Sequence, residues 1–518
     1  MPSAPYLMGI DLGTTTCRCA IFDLEGAEVA AAYRETPISY PRPLWAEVDP
    51  EVWWQNTVQV VREALARSGV APAQIGGVGL TGLMHAPVLL DDAGRPVVPA
   101  MLWMDQRCAP QCAQLSREYR ALGAHGDREV RFSPTLTAPK LRWLADTQPG
   151  VLARARKLVL PKDFVRYRLT GTLYTDPSDA GGTGLFDRER GEWDWALVEL
   201  TRVPPVILPA VRPSWMAAGE VTMAAARATG LAPGTVVAVG GADTLCTQLG
   251  VGALAAREVC IYLGTAAWLA LVDDAAPAGR TAFRGFGATA ATGAALRWVR
   301  DVLVEATGAD GAASYDALTR SAAAVPPGAD GVFFLPHLMG ERGPNSDPAA
   351  RGALVGLTLY HGRPQIVRAV LEGTAFHLRR LLEACVAGHW PDGGPAAGVA
   401  CGGAARSPFW MQLLADILGL PLRVPTVVEA GVLGAAMLGG AAARLIALDS
   451  AAARMVRIGH SYAPNAALAT RYDSLYARYC QLDDLLAPWF RLVVAQDDAA
   501  SERLPEPVLS LPTRGEGE

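Results

Sequence analysis

A chain of 518 residues is too long for a single hydrophobic core, and 51% hydrophobic against 19% charged residues describes a folded protein, not a disordered one. The net charge of −5 gives no electrostatic reason to expect nucleic acid or an acidic membrane surface as partner. Nine scattered cysteines with no CxxC argue against a disulfide framework and for a reducing, cytoplasmic setting. No apolar run is long enough to cross a bilayer, and the Ala/Gly-rich stretch 430–443, which meets Arg444, is expected to be a buried helix.

In chain order, residues 8–23 read MGIDLGTTTCRCAIFD. Two β-rich apolar runs joined by a small-residue turn predict a hairpin. Gly13 opens backbone N–H groups to a phosphate, Thr14 and Thr15 add neutral donors, and Asp11 at the strand end can hold Mg²⁺ through water. Taken alone, the stretch fits equally an ordinary hairpin whose Asp and Thr satisfy the turn. A third strand is expected over 28–33. Asp49-Pro50-Glu51 predicts a helix start, with an acid as N-cap, proline in the first turn and a second acid at the positive end of the dipole. That helix runs to about residue 67 and turns Trp54, Val58, Val61 and Leu65 inward. Gly77-x-Gly79-x-x-Gly82 matches a dinucleotide fingerprint in its letters, but it lies inside an extended apolar run with no helix pattern behind it.

Residues 235–250, TVVAVGGADTLCTQLG, predict a buried strand that runs into Gly240-Gly241 and delivers Asp243 to its C-terminal end, where ligands collect in open α/β sheets. Asp243 is a helix cap on the plainest reading. Capping requires no Gly-Gly approach, however, whereas a hydroxylated ligand drawn against the backbone does. Residues 259–274, VCIYLGTAAWLALVDD, then repeat the first hairpin without a gap: Leu263 falls on Leu12, Gly264 on Gly13, Thr265 on Thr14 and Asp274 on Asp23. Tyr262 replaces Asp11, so only the first copy can hold a metal. Internal repetition of this kind predicts two similar domains, facing one nucleotide.

Helices are expected over 363–383 and around 472–486. Between them, at 400–418, a strand end meets Gly402-Gly403-Ala404-Ala405, with Ser407 as N-cap and Pro408 at the first helical position. A flat base and ribose can lie against such a turn. The expected division is 1–250, 251–492 and a polar, disordered tail over 493–518.

DLGTTT near the N-terminus and LGT again at mid-chain resemble the sugar kinases of the FGGY family, and the later motifs follow in that family's order over roughly residues 8–486. The resemblance implies an α/β fold of two actin-like (ribonuclease H-like) domains about an interdomain cleft. It also implies ATP and Mg²⁺ as cofactors, a small sugar as substrate and a homodimer as the assembly. It places Gly13, Thr14, Thr15, Gly264 and Thr265 at the phosphates, Gly402, Gly403 and Ala404 at the adenosine, Asp11 at the metal, and Asp243 as the general base. The absence of GxxxxGK[ST] fits a fold that binds phosphate with hairpins.

Several stretches are most similar to xylulokinases: 44–49 (LWAEVD), 136–144 (LTAPKLRWL), 160–171 (LPKDFVRYRLTG), 175–184 (TDPSDAGGTG) and 333–344 (FFLPHLMGERGP). The xylulokinase Gln-Met-His triplet that contacts the sugar corresponds to Leu83-Met84-His85. This places Met84 and His85, with Asp105, Asp243 and Thr244, at a ketopentose. Leu83 replaces the family's Gln, while Met104 and Thr244 each replace an Asn, so ribulose, gluconate or another polyol stands beside D-xylulose as acceptor. A regulator that kept the fold without catalysis is the alternative from another class. Asp105 and Arg107 either bind polyol or phosphate or pair with each other; Lys140, Lys162, Glu341 and Arg342 are expected in structural pairs.

Overall fold

The computed structural model describes residues 6–123, 132–272, 283–305, 315–341, 347, 349–390, 393–427 and 429–501. Two six-stranded sheets organise it. The first is built from β1 (Tyr6–Leu12), β2 (Thr16–Asp23), β3 (Glu28–Glu35), β4 (Ile75–Gly82), β5 (Ala217–Glu220) and β6 (Val236–Ala238), in the spatial order β5-β6-β4-β1-β2-β3. The second is built from β7 (Glu258–Leu263), β8 (Ala267–Val272), β9 (Phe283–Thr289), β10 (Ala397–Cys401), β11 (Leu422–Pro425) and β12 (Ile458–Tyr462), in the order β9-β8-β7-β10-β11-β12. Each is a three-strand antiparallel meander, extended by two strands parallel to its first strand and closed by an antiparallel edge. The edges differ in origin: β5 precedes its neighbour in the chain, whereas β12 follows its own. The repeated hairpins of the sequence thus seed two copies of one sheet.

Helices cover both faces of the first sheet, which is why Leu7, Met8, Ile10 and Leu12 on β1 are all fully buried instead of alternating. Helix α1 (Pro50–Ser68) lies on one face. Asp49 caps it by accepting from Glu51 N at 3.0 Å, and Gly69 ends it in the left-handed conformation. Its buried side is turned slightly from the expected one: Trp53 and Thr57 are wholly buried and Val58 only partly, because Thr57 faces Cys17 on β2.

After α1, the helices that matter to the site are α2 (Asp243–Val251), α3 (Arg363–His389), α4 (Pro408–Leu418), α5 (Ala430–Ala442) and α6 (Ala469–Ser501). The Ala/Gly-rich stretch expected to be a buried helix is α5, which packs on the first sheet, against β1, β4 and α2. Leu7, Phe22, Leu245, Val432 and Leu438 share one core there. The approach is backbone to backbone. A Cβ on Gly79 would fall 1.7 Å from Ala435 O, and one on Gly434 would fall 1.8 Å from Cys246 O. Gly77 and Gly79 of the false fingerprint in β4 therefore make room for a helix, not for a pyrophosphate.

Helix α3 runs on past the expected end to His389, and α6 is helical to Ser501. Disorder from 493 is thus corrected as far as 501. Leu486 and Phe490, on either side of Pro488, still pack on the second core and carry the helix through the proline. Residues 502–518 lie outside the described residues. All nine cysteines are free thiols, and among the described residues no helix is long and apolar enough to cross a membrane.

Candidate active site

Strand β6 gives way to Gly240-Gly241, where Gly240 takes φ 86° and Gly241 N donates to Leu80 O at 3.0 Å, stitching the strand end to β4. The next residues are braced from below by a wholly buried polar network. Lys162 Nζ lies 2.7 Å from Asp163 and 3.0 Å from both Asp176 and Asp179. From this network Arg166 donates to Val239 O at 2.7 Å, and Ser178 Oγ, bonded to Asp176, accepts from Ala242 N at 2.8 Å. The product of this bracing is a fixed position for Asp243, the first residue of α2. Asp243 is half-buried, and its Oδ1 is shielded from solvent without a hydrogen-bond partner among the described residues. Burial pushes its carboxyl up to about 6 against the opposing effect of the Thr244 N–H.

Asp11, at the end of β1, faces the same space. Its carboxyl is pushed up to about 7 by burial and by the negative charges of Asp243 and Glu429, with Arg18 opposing. Arg18 on β2 pairs with Glu429, which immediately precedes α5. A Cβ on Gly431, in the first turn of α5, would lie 3.5 Å from Asp11 Oδ2. Three carboxylates against one guanidinium leave a negative excess, and hard oxygen donors with one unmet lone pair suit a divalent cation.

The second hairpin enters the same field. The Tyr262 phenol is pushed well above its ordinary range by burial and then by the charges of Cys401, Asp11, Glu429 and Asp243. Tyr262 also lines a cleft of about 790 Å³ with Gly264, Thr265, Gly403, Ala404 and Ser407, a size that suits a bound small molecule. Gly402 lies behind these residues: it is buried at φ 94°, where a Cβ would fall 2.6 Å from Leu263 O. Ser407 caps α4 by accepting from Trp410 N at 3.4 Å, with Pro408 at the first position. In the first hairpin, Thr14 Oγ1 accepts from Trp103 Nε1 at 2.9 Å, which ties Gly13-Thr14-Thr15 to the 102–107 loop.

Beside Asp243, Thr244 Oγ1 donates to Met84 Sδ at 3.8 Å. His85 adopts φ 74°, a conformation uncommon outside glycine and one that clusters at functional sites. It is held there by Gly182 O, 2.6 Å from its Nδ1, and by Lys140 Nζ and Thr137 Oγ1, each donating to its carbonyl at 3.1 Å.

Both halves of the chain match one family, described as the FGGY family of carbohydrate kinases: its N-terminal domain over residues 6–250 and its C-terminal domain over 266–443. The chain belongs to this FGGY family. The kinase is 33% identical over 446 residues to a xylulose kinase of Escherichia coli (strain K12), covering 84% of this chain and 90% of that protein. It is 35% identical over 461 residues to a glycerol kinase of Gloeobacter violaceus, covering 84% and 87%. A xylulose kinase structure from Rhodospirillum rubrum superimposes with a TM-score of 0.80 at 32% identity, over 94% of this chain and 100% of that one. The fold is the two-domain, actin-like α/β architecture, and the protein is a carbohydrate kinase.

Against that background one expected site residue is corrected. Asp105 is wholly buried, and both its oxygens are engaged. They accept from Ala46 N at 2.7 Å and from Arg107, whose guanidinium also pairs with Glu47 at 2.8 Å and stacks 3.5 Å above the Trp45 ring. The 44–49 and 102–107 motifs build this cluster, so Asp105 has no lone pair to offer a sugar. Glu341 pairs with His337 and His377, while Arg342 lies outside the described residues. The sequence reading missed Trp103, Arg18 and Glu429, which meet their partners only through tertiary structure, and the grip of Lys140 on His85.

Proposed function

We propose that this kinase transfers the γ-phosphoryl group of ATP to the terminal hydroxyl of a ketopentose, converting D-xylulose to D-xylulose 5-phosphate. The observation that carries the reading is Asp243: a carboxylate with one unpartnered oxygen, beside Met84-His85, in a field shared with Asp11 and Tyr262.

In this reading Asp243 accepts the proton of the attacking hydroxyl, a role worth roughly 10²–10⁴-fold. Met84, His85 and Thr244 orient the sugar. Gly13, Thr14 and Thr15 approach the phosphates from one side, and Gly264 and Thr265 from the other. Gly403 and Ala404 receive the adenosine, with Gly402 shaping the turn behind them. Asp11 holds Mg²⁺ through water. The ion, when bound, neutralises charge on the phosphoryl oxygens. Closure of the two halves excludes water, so that the sugar and not solvent is the acceptor. The free cysteines support action in the cytoplasm.

Of the three departures from the xylulokinase pattern, Leu83 is buried in the first core and Met104 is partly buried against it. The third, Thr244, stands next to Asp243 and donates to Met84. A second reading rests on that residue and on the glycerol kinase relative: Thr244 shortens the side chain beside the base and admits a different polyol. Measuring ADP release with D-xylulose, D-ribulose, gluconate and glycerol separates the two. The highest kcat/KM on D-xylulose is expected. A higher value on another acceptor moves the assignment to that polyol, and turnover on none would leave a binding protein.

A further inference from the structure

A second cluster of ligand-bearing side chains lies on the far half of the chain, and phosphoryl transfer does not use it. His337 follows the short strand Phe333–Leu335, His377 sits within α3, and Asp483 sits on α6. A ligand atom from each lies within 4.8 Å of the other two. Both histidines are 3% exposed, with ring centroids 5.0 Å apart. Glu341 Oε2 touches both rings, 3.0 Å from His337 Nδ1 and 2.7 Å from His377 Nε2. Asp483 Oδ1 lies 2.9 Å from His337 Nε2, and Arg380 holds its other oxygen at 2.9 Å. A cavity of about 300 Å³ opens onto the cluster and shares no lining residue with the nucleotide cleft.

We propose that His337, His377 and Asp483 bind a divalent transition-metal ion of the Zn²⁺ class, with Glu341 as the carboxylate that fixes both imidazoles. Two imidazoles and a carboxylate suit Zn²⁺ and its neighbours, whereas Mg²⁺ asks for an all-oxygen set. A carboxylate against the histidine nitrogens is the usual device for fixing ring orientation and tautomer at such sites. Hydrogen bonding among the four groups does not satisfy them all. His377 Nε2 lies 2.7 Å from Glu341 Oε2, and its Nδ1 is a buried nitrogen without a hydrogen-bond partner among the described residues, an arrangement proteins rarely leave unmet. Charge points the same way: Glu341, Asp347, Asp483 and Asp484 line the cavity against Arg380 and Arg491. The ion would clip together three segments distant in sequence. Because it binds the folded form alone, it would raise thermal stability.

The test uses full-length kinase stripped with EDTA and titrated with ZnCl₂ in the absence of nucleotide. One tight equivalent per chain by calorimetry and elemental analysis is expected, with a Tm that rises with Zn²⁺ and does not rise with equal Mg²⁺. Glu341→Gln is expected to weaken binding by about 10–100-fold. His377→Gln and Asp483→Asn should abolish both the equivalent and the Zn²⁺-dependent rise, while stripped samples retain the wild-type far-ultraviolet circular dichroism. Should a variant not fold, the ligand-field spectrum of Co²⁺ bound to wild-type protein decides: nitrogen–oxygen coordination at one site supports the assignment. No bound equivalent, or equal binding by a folded His377→Gln protein, would overturn it and leave an ion-paired network.

Discussion

Asp11 feels the charge of Asp243, Asp243 is raised by burial alone, and both hold their protons to a higher pH than a solvated carboxylate. For a base with its carboxyl near 6, only the ionised form accepts a proton. Thus kcat/KM should fall about tenfold per unit as pH drops below 6 and level off above it. A flat profile from about pH 5 to 8 would remove Asp243 as the titrating base. The stability consequence of Asp11 has the opposite sense. Its folded-state pKa lies above its unfolded value, so the folded protein holds the extra proton at low pH, and the associated stability is lost as pH rises toward 7. Asp11→Asn should therefore raise the Tm of the metal-free protein at pH 8. The gain should be no more than about 1 kcal/mol, since the group is partly exposed and screened. The Tm gain from added Mg²⁺ should shrink in the same variant; an unchanged Mg²⁺ response would take Asp11 out of the metal site. Asp11, Gly264 and Asp243 could be singled out from the sequence because each stands in a local motif of small residues. Asp105 misled because the same polar letters also build the buried Trp45–Arg107 cluster, and nothing in a linear sequence separates those uses.

Among the elements, the two hairpins were readable because strand, turn and strand are contiguous, and the constant spacing between copies exposed the duplication. Helix α5 was readable as a buried helix but not by location: its partners β1, β4 and α2 come from the other half of the chain. The signal was present, in retrospect, as glycines on β4 with no ligand to serve. Gly79→Ala drives a methyl into the α5 backbone and should destabilise by about 3 kcal/mol, at the upper end of overpacking. Urea unfolding would show this as a lower midpoint. An unchanged midpoint would mean that α5 is free to move away from β4. Phe490 teaches a related lesson at α6, where tertiary packing carries a helix through Pro488 that local propensity would stop.

Across the whole molecule, one sheet is built twice, and each copy opens with a glycine–threonine turn. The copies differ at the residue before the turn: an acid in the first, Asp11, and a phenol in the second, Tyr262, which feels the charge of Asp11 and lines the 790 Å³ cleft. Sequence periodicity reached the duplication, while the geometry between the halves required contacts such as Arg18 with Glu429 that no local pattern encodes. The proposed reaction separates two roles, with nucleotide gripped by the hairpins and the acceptor alcohol activated by one carboxylate. The most direct measurement is turnover of Asp243→Ala alongside its binding of a non-hydrolysable ATP analogue. Unaltered nucleotide affinity with turnover reduced by about 10²–10⁴-fold is predicted; turnover close to that of the wild type would contradict it.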